Sequence, residues 1–426
     1  MGFHALFNRA RELSTLFPGY FADYKHNHYR DFGYPKDITF ALAYSMYQRN
    51  GLGSAAVEKT ILKTWETAPA IWESEKPKES TVEADIRQWA TDLRLWSRFA
   101  DTDRKSMVGG YACAILRLRD SKRFQEPVDT VPGGLDGLAE IIPAWAGQIE
   151  VSEWDTDETS ETYGSPKMFS FNEAAVGSDR HKTRAFSVHP DRVIIWSKDG
   201  TVHARSALEP GYNDLVTLEK VSGAGGEGFW KNAKSAPVIE IDKEASIQDM
   251  ATAMGVPVAE VAEKMDAQVD DFQKGFDKML MLQGMKATTL GITLPNPEHF
   301  HNNPLMAFAA SFLIPLKILT GSQTGERAST EDATEWAKTN MARRNDIAIP
   351  ALREFLNRMQ KFGILRERDW VLGWEDLTES TMSEKIDRAD KMASVNQKMG
   401  DEPVFFADEV REVVGFDARE EIGDDE

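Results

Sequence analysis

The chain has 426 residues, of which 41% are hydrophobic and 28% are charged, a composition typical of a globular protein with enough apolar material for a core. Its net charge of −19 argues against a dedicated nucleic-acid-binding module, because phosphate binding depends largely on lysine and arginine. The single cysteine, Cys113, excludes an internal disulfide and favours a reducing cytoplasm, and we expect neither a signal peptide nor a membrane-spanning helix.

The first part of the chain is predicted to be mostly helical. Residues 1–36 mix aromatic and basic side chains with helix breakers, and we expect them to form a loosely docked arm. Apolar residues recur at helical spacing after Asp37, a candidate helix cap, and again over residues 82–99. The run 111–118 predicts a strand that follows these helices.

Residues 126–245 are predicted to be rich in β-structure. The strand candidates are the β-branched runs 149–154, 168–171, 193–196 and 238–241. Asp199-Gly200, between Ile195 and Val202, is a hairpin signal. The glycine-rich run 223–228 lacks the Gly-Lys-Ser/Thr ending of a phosphate loop, so the sequence predicts a flexible connection there.

Residues 246–282 return to a helical pattern. Their apolar stripe includes Phe272, Phe276 and Leu280, and it indicates a core or bundle face, with packing between subunits as the alternative. A β-prone segment at 286–294 follows.

A second helical pattern is predicted to begin at Asn303-Pro304, since asparagine is a good N-cap and proline is tolerated at the first helical position. Pro315 is expected to end or kink this helix near Ile314. The sequence therefore predicts a helix that stops just before a polar loop.

That loop contains Gly321 and Gly325, and it leads to a further helix for which Ser329 and Asp332 resemble a capping box. Beyond it, residues 370–374 are β-prone, residues 379–399 follow a polar helical pattern, and the chain ends in an acidic tail that we expect to be solvated.

Two histidine pairs have the spacing that a metal site could use. His26 with His28, and His299 with His301, would each share one side of a strand. A zinc site would need further ligands, and neither pair lies in a recognisable ligand pattern. We interpret these residues as ordinary polar histidines and expect no metal and no cofactor.

Catalytic patterns are equally incomplete. His181-Lys182-Thr183 has the His-x-Thr form of two-histidine phosphodiesterases, which need two such copies, and no other histidine is followed by Thr or Ser at that spacing. Ser106 and Ser311 lack a nucleophile-elbow context, and Cys113 is better interpreted as core packing within its strand. We therefore predict that the chain is not an enzyme.

Several short motifs, taken in order, resemble one family. The segment Ile-Pro-x-x-x-Leu-x-Gly-x-x-x-Gly at 314–325 resembles the core of tailed-bacteriophage portal proteins, and more narrowly the subfamily found beside or fused to anti-CBASS phosphodiesterases. Other stretches that fall in that subfamily's order are 96–110, 111–118, 163–166, 189–194, 212–213, 374–380 and 409–411. The resemblance spans roughly residues 38–415.

The resemblance implies an α+β, portal-like fold with a helical wing and stem, a β-rich middle subdomain and a small α/β clip. The implied segments are an arm at 1–36, a wing at 37–245 (helical 37–125, β-rich 126–245), stem helices at 246–318 with a clip at about 283–300, a tunnel loop at 319–329, a wing or crown-proximal helix and strand at 330–375, and a crown-like segment at 376–426. Within the stem, helices are expected at 258–282 and 304–314.

The same resemblance implies a ring of about a dozen subunits at one capsid vertex, assembled in the host cytoplasm. Its implied partners are double-stranded DNA passing through the channel, terminase, adaptor or head-completion proteins, and the major capsid and scaffold proteins, with no membrane. The implied tunnel-loop residues are Lys317, Gly321, Gln323, Gly325 and Arg327, and the implied stem-interface residues are Phe272, Phe276 and Leu280.

Two other functional classes stay open on the sequence. One is a cytoplasmic hydrolase whose active site carries no recognisable motif, which would predict a monomer or small oligomer with a well-formed pocket. The other is a different structural phage protein, such as a head or tail adaptor, although such adaptors are usually much shorter.

Overall fold

The structure is a computed structural model that describes residues 27–74, 80–173, 176, 185–233, 237–241, 247–264, 285–289, 298–321, 326–378, 382–399 and 404–416. The chain divides into two compact units. One comprises residues 1–37 and 210–312, and the other comprises residues 38–209 and 313–426. Helices and sheets are mixed throughout, which confirms the predicted α+β class.

The helices of the described residues are α1 His28–Asp31, α2 Phe40–Arg49, α3 Gly51–Thr64, α4 Thr81–Asp92, α5 Leu95–Gly109, α6 Tyr212–Ala233, α7 Ile247–Met254, α8 Glu298–Ser311, α9 Leu316–Thr320, α10 Glu326–Arg343, α11 Ile349–Lys361, α12 Met382–Met399 and α13 Ala407–Val414. Short 3₁₀ turns occur at Gly134–Gly137, Pro190–Arg192 and Val258–Glu260, and a π-helical segment, Arg344–Ala348, joins α10 to α11.

The strands are β1 Ala70–Trp72, β2 Tyr111–Leu118, β3 Leu138–Trp145, β4 Ile149–Trp154, β5 Pro166–Asn172, β6 Ala185–Val188, β7 Val193–Ser197, β8 Pro237–Ile241, β9 Met285–Thr289 and β10 Val371–Gly373. They form sheets of order β3-β2-β7 and β4-β5-β6 and the pairs β1-β10 and β8-β9, and every pairing is antiparallel.

Helix caps explain where the first helices of the larger unit begin. Thr39 Oγ1 accepts a hydrogen bond from the Leu42 N–H, so Thr39 rather than the predicted Asp37 caps α2. Asn50 Oδ1 accepts from Leu52 and Gly53 (3.1 and 2.9 Å), which starts α3 directly after α2 ends. Side-chain acceptors thus divide the predicted helical region into short helices.

The predicted helix over 82–99 is also divided. Ser80 and Glu83 form a reciprocal capping box at the start of α4, with hydrogen bonds of 3.2 and 2.8 Å. Arg94 then adopts a left-handed conformation (φ 51°), which ends the first helical run and lets α5 begin in a new direction at Leu95.

The first sheet is built around β2, which is buried along nearly its whole length. Cys113 on β2 is opposite Ala144 on β3 and Ile195 on β7. Strand β3 was not predicted, because Pro143 interrupts its pattern. Proline is tolerated there because β3 is an edge strand, where its missing N–H removes no ladder hydrogen bond.

One face of this sheet packs against strands of the second sheet. Ile115 and Cys113 lie in a buried cluster with Ile149, Phe169 and Val188. Burial raises the pKa of the Cys113 thiol, which keeps it protonated and unreactive. The prediction that Cys113 is a core residue is confirmed.

The opposite face packs against helices α4, α5 and α11. Phe99 on α5 lies between two rings, at 5.6 Å from Trp196 on β7 and 5.0 Å from Phe355 on α11. All three side chains are almost completely buried. This aromatic layer, which bridges sheet and helices, forms the centre of the main core.

In the smaller unit, α6 packs against α8. Leu215 and Leu218 of α6 and Phe308 of α8 are buried. At Gly211, just before α6, a Cβ atom would lie 2.6 Å from the Phe308 ring, so only glycine permits this approach.

The N-terminal residues of the same unit contact α6. The hydroxyl groups of Tyr34 and Thr217 form a hydrogen bond of 2.7 Å. The Lys220 ammonium lies 5.1 Å from the centre of the Tyr34 ring. The described part of the predicted arm is therefore held by specific contacts. Residues 1–26 lie outside the described residues.

Several local predictions were wrong. The glycine-rich run 223–228 is part of α6 rather than a flexible connection, because the buried leucines of α6 outweigh the low helix propensity of glycine. The helix predicted to begin at Pro304 begins at Glu298, with Pro304 inside it. Likewise Ser329 lies within α10, which begins at Glu326, so it is not an N-cap.

The predicted hairpin at Asp199-Gly200 is a turn without a second strand. Gly200 has φ 72°, and Asp199 Oδ1 accepts hydrogen bonds from the Thr201 N–H and hydroxyl, both at 2.9 Å. These side-chain hydrogen bonds stabilise the turn in place of the backbone hydrogen bonds that a paired second strand would make. The other predicted strands, 111–118, 149–154, 168–171, 193–196, 238–241 and 370–374, all coincide with observed strands to within a few residues.

Candidate functional site

The short helix α9 contains one of the predicted tunnel-loop residues, Lys317, and a second, Gly321, caps its C-terminus. It begins after Pro315, whose fixed φ of −56° suits a helix start, and it ends at Gly321. Gly321 is left-handed (φ 74°), and its N–H donates to the Lys317 carbonyl at 2.8 Å. Glycine is the residue best suited to such a C-cap, so the sequence fixes where α9 stops.

The position of α9 is set by α3. Leu319 is buried, and the Lys59 ammonium of α3 donates to the Ile318 carbonyl near the C-terminus of α9. A cation there satisfies a carbonyl left free by the helix end and interacts favourably with the helix dipole. Lys317 is half-buried, whereas Gly321 is exposed.

The remaining predicted site residues are only partly described. Gln323 and Gly325 lie outside the described residues, and Arg327 lies in the first turn of α10, where its side chain is not described. The predicted stem residues Phe272, Phe276 and Leu280 also lie outside the described residues. They stay predictions. The structure thus brings Lys317 and Gly321 together in one helix turn.

The helical run that begins at Glu326 changes its winding part-way along. Helix α10 passes through the π-helical segment Arg344–Ala348 into α11, which has Pro350 in its first turn. A proline ring would clash with the carbonyl four residues earlier in a regular α-helix, and a wider π turn relieves that clash. A local change in winding is therefore built into this run.

Asp103 anchors that run at the end of α10. Its buried carboxylate accepts hydrogen bonds from both terminal guanidinium nitrogens of Arg343, one of them at 2.7 Å. It also accepts the indole N–H of Trp65 and that of Trp196, each at 2.9 Å. Four donors on one carboxylate satisfy it fully, as a buried charge requires.

Arg344, the next residue, makes a second anchor. It is fully buried, and it donates to the Thr64 and Glu375 carbonyls, both at 2.6 Å, and to the Thr67 hydroxyl at 3.3 Å. Its guanidinium lies 4.3 Å from the centre of the Trp374 ring. Burial lowers the pKa of Arg344 to about 10, so it remains charged at neutral pH.

The far end of α11 is tied to the sheets through the turn that precedes β7. Asp191 Oδ1 accepts from the Lys361 ammonium at 3.0 Å, and Arg358 donates to the Pro190 carbonyl. Arg192 and Asp120 form an ion pair in which both side chains are almost completely buried. The long helical run is therefore fixed both in its middle and near its end.

This turn begins at His189, whose Nδ1 accepts a hydrogen bond from the Asp191 N–H at 3.2 Å. Burial lowers the pKa of His189, although the nearby Asp191 carboxylate opposes the shift. Burial alone would raise the pKa of Asp191, but hydrogen bonds from Lys361 and the Val128 N–H outweigh it and lower that pKa. The turn thus favours a neutral imidazole beside an ionised carboxylate.

Sequence reasoning had not identified Asp103, Arg343 or Arg344 as a site. Their partners are distant along the chain, with Arg343 240 residues from Asp103 and Trp196 93 residues from it. The one available signal was that Asp103 and Trp374 lie in stretches that carry the family resemblance.

Among the described residues, no group of three or more His, Cys, Asp or Glu side chains is placed to hold a metal ion. His299 and His301 lie in helix α8, where residues two apart do not share a face, so their predicted alternation does not apply. No helix in the described ranges has the length and apolar character needed to cross a membrane.

Comparison with known proteins identifies the family. A family model described as "Phage portal protein" matches residues 43–398, which is well over half of the chain. The chain belongs to the phage portal protein family. A comparison with curated proteins found no match.

Three solved structures are similar to this portal protein at low sequence identity. The neck of an empty gene transfer agent particle, computed with C6 symmetry, matches with a TM-score of 0.51 and 15% identity, covering 88% of this chain and 94% of that one. The neck of a native particle, computed with C12 symmetry, matches with a TM-score of 0.49 and 13% identity, covering 89% and 93%.

A HK97-family phage portal protein from Corynebacterium diphtheriae matches with a TM-score of 0.41 and 10% identity, covering 79% of this chain and 94% of that chain. The portal-like fold predicted from the sequence is confirmed by the family match and by the similarity to the neck of the empty gene transfer agent particle. The family match also decides between the predicted classes in favour of a portal, a structural protein of the phage capsid, over a cytoplasmic hydrolase.

Proposed function

We propose that this portal protein forms a ring at one capsid vertex, through which double-stranded DNA enters during packaging and leaves during ejection. The observation that carries this proposal is the family match over residues 43–398. A ring subunit needs a firm body that holds the channel-facing segment in place, and the doubly anchored α10–α11 run meets that need.

The anchors support a mechanical role for the region around Gly321. Helix α9 is held by Lys59, and α10 is held at its far end by Asp103 and by the contacts of Arg344. The connection between α9 and α10 thus joins two helices that are each held by contacts within the larger unit. We assign the tunnel loop to residues 319–329, in which Gln323 and Arg327, together with the preceding Lys317, would make transient phosphate contacts and Gly321 and Gly325 would permit movement.

The proposed stem lies largely in the smaller unit, which includes residues 210–312. Helices α6 and α8 pack on each other, and the β8-β9 ladder lies between them in the sequence, pairing Pro237 with Thr289 and Ile241 with Met285. We propose residues 258–282 and 304–314 as the stem helices and residues 283–300 as the clip, and the second stem helix coincides with most of α8. The stripe with Phe272, Phe276 and Leu280 would then form the stem interface between neighbouring subunits.

Further proposals concern partners and place. The clip would meet terminase during packaging and adaptor or head-completion proteins afterwards, and the ring would contact the major capsid and scaffold proteins. Assembly would take place in the host cytoplasm, and the mature location would be the virion portal vertex. The portal would act without catalysis or cofactors.

We also propose membership of the subfamily found beside anti-CBASS phosphodiesterases, supported by the ordered motifs from 96–110 to 409–411.

The function can be tested by complementation of a phage that lacks its portal gene. A variant in which residues 321–328 are replaced by a shorter linker should still assemble rings but should package or retain less DNA. The matched control shortens the polar loop 155–165, which lies between β4 and β5. Wild-type titres from the 321–328 variant would refute the proposed role of this loop.

A further inference from the structure

A cavity of about 450 Å³ lies in the larger unit, beside the C-terminal ends of α3 and α4 and the first turns of α5. Its volume is typical of a site for a small organic ligand. Trp65 and Trp96 form part of its wall, and the small side chains of Ala68, Ala90 and Ala100 leave space beside them. The cavity therefore suits a flat, largely apolar group that packs against an indole ring.

Three side chains that line this cavity have unused hydrogen-bond donors. The Arg94 guanidinium, the Trp96 indole N–H and the Ser97 hydroxyl make no hydrogen bond or ion pair with any residue that the structure describes. A guanidinium and an indole N–H can only donate, and a hydroxyl can donate as well as accept. Such a set is complementary to a group that only accepts, as an ionised carboxylate does.

The charge at the cavity favours the same kind of ligand. In the described part of the chain, two charged residues line it, Glu66 and Arg94. The Glu66 carboxylate is paired with the Lys63 ammonium at 2.5 Å, which leaves the Arg94 charge unmatched. One unmatched cation attracts a single anionic group, whereas the net charge of −19 on the whole chain repels polyanions such as nucleic acids.

The backbone at Arg94 is strained. Its φ of 51° and ψ of 42° are left-handed, a conformation that glycine adopts without steric cost and arginine does not. Strained residues of this kind occur preferentially at ligand sites. Stability alone would favour glycine at position 94, so the guanidinium there is better explained by binding than by folding.

We propose that this cavity binds a small aromatic ligand that carries one carboxylate. The carboxylate accepts hydrogen bonds from Arg94, Trp96 and Ser97, and the aromatic ring packs against Trp65. A free aromatic acid and the carboxyl-terminal aromatic residue of a peptide present the same chemistry, and the test below tells these two sources apart. The inference does not depend on the proposed ring.

A bound ligand would contact residues that also hold the α10–α11 run. Trp65 donates its indole N–H to Asp103. The Thr67 carbonyl accepts the Trp374 N–H at 3.0 Å, and the Thr67 hydroxyl accepts a hydrogen bond from Arg344 at 3.3 Å. Because a ligand that binds only the folded chain stabilises it, the midpoint of thermal unfolding should rise with ligand concentration.

Calorimetric titration of the full chain with N-acetylphenylalanine tests the site. We expect saturable binding to the wild-type chain. N-acetylphenylalaninamide, which lacks the carboxylate, should bind about tenfold more weakly or less tightly still, the factor expected when a charge-assisted hydrogen bond is lost. N-acetylleucine, which lacks the ring, should also bind more weakly. A tripeptide that ends in phenylalanine distinguishes the sources, because tighter binding indicates a peptide terminus and weaker binding indicates a free acid.

Arg94→Gly separates binding from folding. Glycine suits the left-handed backbone, so this variant should keep or raise the midpoint of thermal unfolding while its affinity for N-acetylphenylalanine falls about tenfold or more. Arg98→Ala is the matched control on the same helix, because the Arg98 side chain pairs with Glu140 instead, and it should bind like the wild type.

Three results would overturn this proposal: no saturable binding to the wild-type chain, equal binding of the amide, or an unchanged affinity in Arg94→Gly. None of them bears on ring formation, so the proposed portal function would stand.

Discussion

Asp103 and Arg343 form a two-nitrogen ion pair inside the larger unit, and the same carboxylate also receives the indole N–H groups of two tryptophans. Asp103 is fully buried, and the Arg343 side chain is 12% exposed. Because this pair fixes the end of α10, it supports the position of the segment that we assign to the channel.

Asp103→Asn should destabilise the fold by about 3 to 5 kcal/mol, since it leaves a largely buried guanidinium without its counter-charge. The control is Asp101→Asn on the same helix, where pairs with Arg104 and Lys105 are partly exposed and should contribute below about 1 kcal/mol. Denaturant unfolding of both variants measures the difference. Equal effects would show that Asp103 is not an anchor.

His189 should make stability depend on pH. Its pKa is lowered in the folded state, so the unfolded chain takes up the proton first as pH falls below the ordinary value of 6.5. Stability from His189 is therefore fully present above about pH 6.5, and is lost as pH falls through the lowered pKa.

The measurement for His189 is the unfolding free energy at a series of pH values from neutral to mildly acidic. His189→Gln should reduce the loss of stability at acid pH, whereas His203→Gln, at an exposed histidine stacked on Trp154, should keep the wild-type slope. An unchanged slope in His189→Gln would mean that other groups carry the acid sensitivity.

Gly321→Ala should destabilise the chain by about 1 to 2 kcal/mol, because alanine is strained at the left-handed conformation that ends α9. No neighbouring atom obstructs a Cβ at this position, so the cost is that of the backbone alone. Gly51→Ala, at an unobstructed position in the first turn of α3, is the control and should be neutral or slightly stabilising. Thermal unfolding at fixed protein concentration distinguishes the two.

Two glycines of the smaller unit should respond in opposite directions. Gly211→Ala would force a Cβ against Phe308 and Ser311 and should destabilise by about 1 to 3 kcal/mol. Gly223→Ala adds a methyl group to an open site within α6 and should stabilise by about 0.5 to 1 kcal/mol. Thermal unfolding tests both changes. If Gly223→Ala destabilises assembled rings, a neighbouring subunit occupies that space.

Local sequence signals predicted much of the fold but little of the anchoring site, which is formed by Asp103, Arg343 and Arg344 with their partners. Strands β2 and β7 were found because their β-branched runs are long and bounded by turns, and the end of α9 was found because Pro315 and Gly321 mark it. Strand β3 was missed because Pro143 breaks its pattern, and α6 was missed because its glycines lower helix propensity while buried leucines stabilise it.

The anchoring site lies beyond local signals for a physical reason. Asp103 is an ordinary charged residue within an amphipathic helix, and nothing near it in sequence shows that its carboxylate is buried. Its partners Trp65, Trp196 and Arg343 lie 38, 93 and 240 residues away, and only the folded chain brings them together. Family resemblance indicated the segment without indicating the contacts.

The most direct test of the central proposal is the mass of the purified assembly, measured by native mass spectrometry with negative-stain imaging of the same sample. We predict closed rings of about a dozen 47.8 kDa chains with a central hole. A chain that stays monomeric, or that forms a compact small oligomer without a hole, both alone and with its capsid and scaffold proteins, would contradict a portal ring.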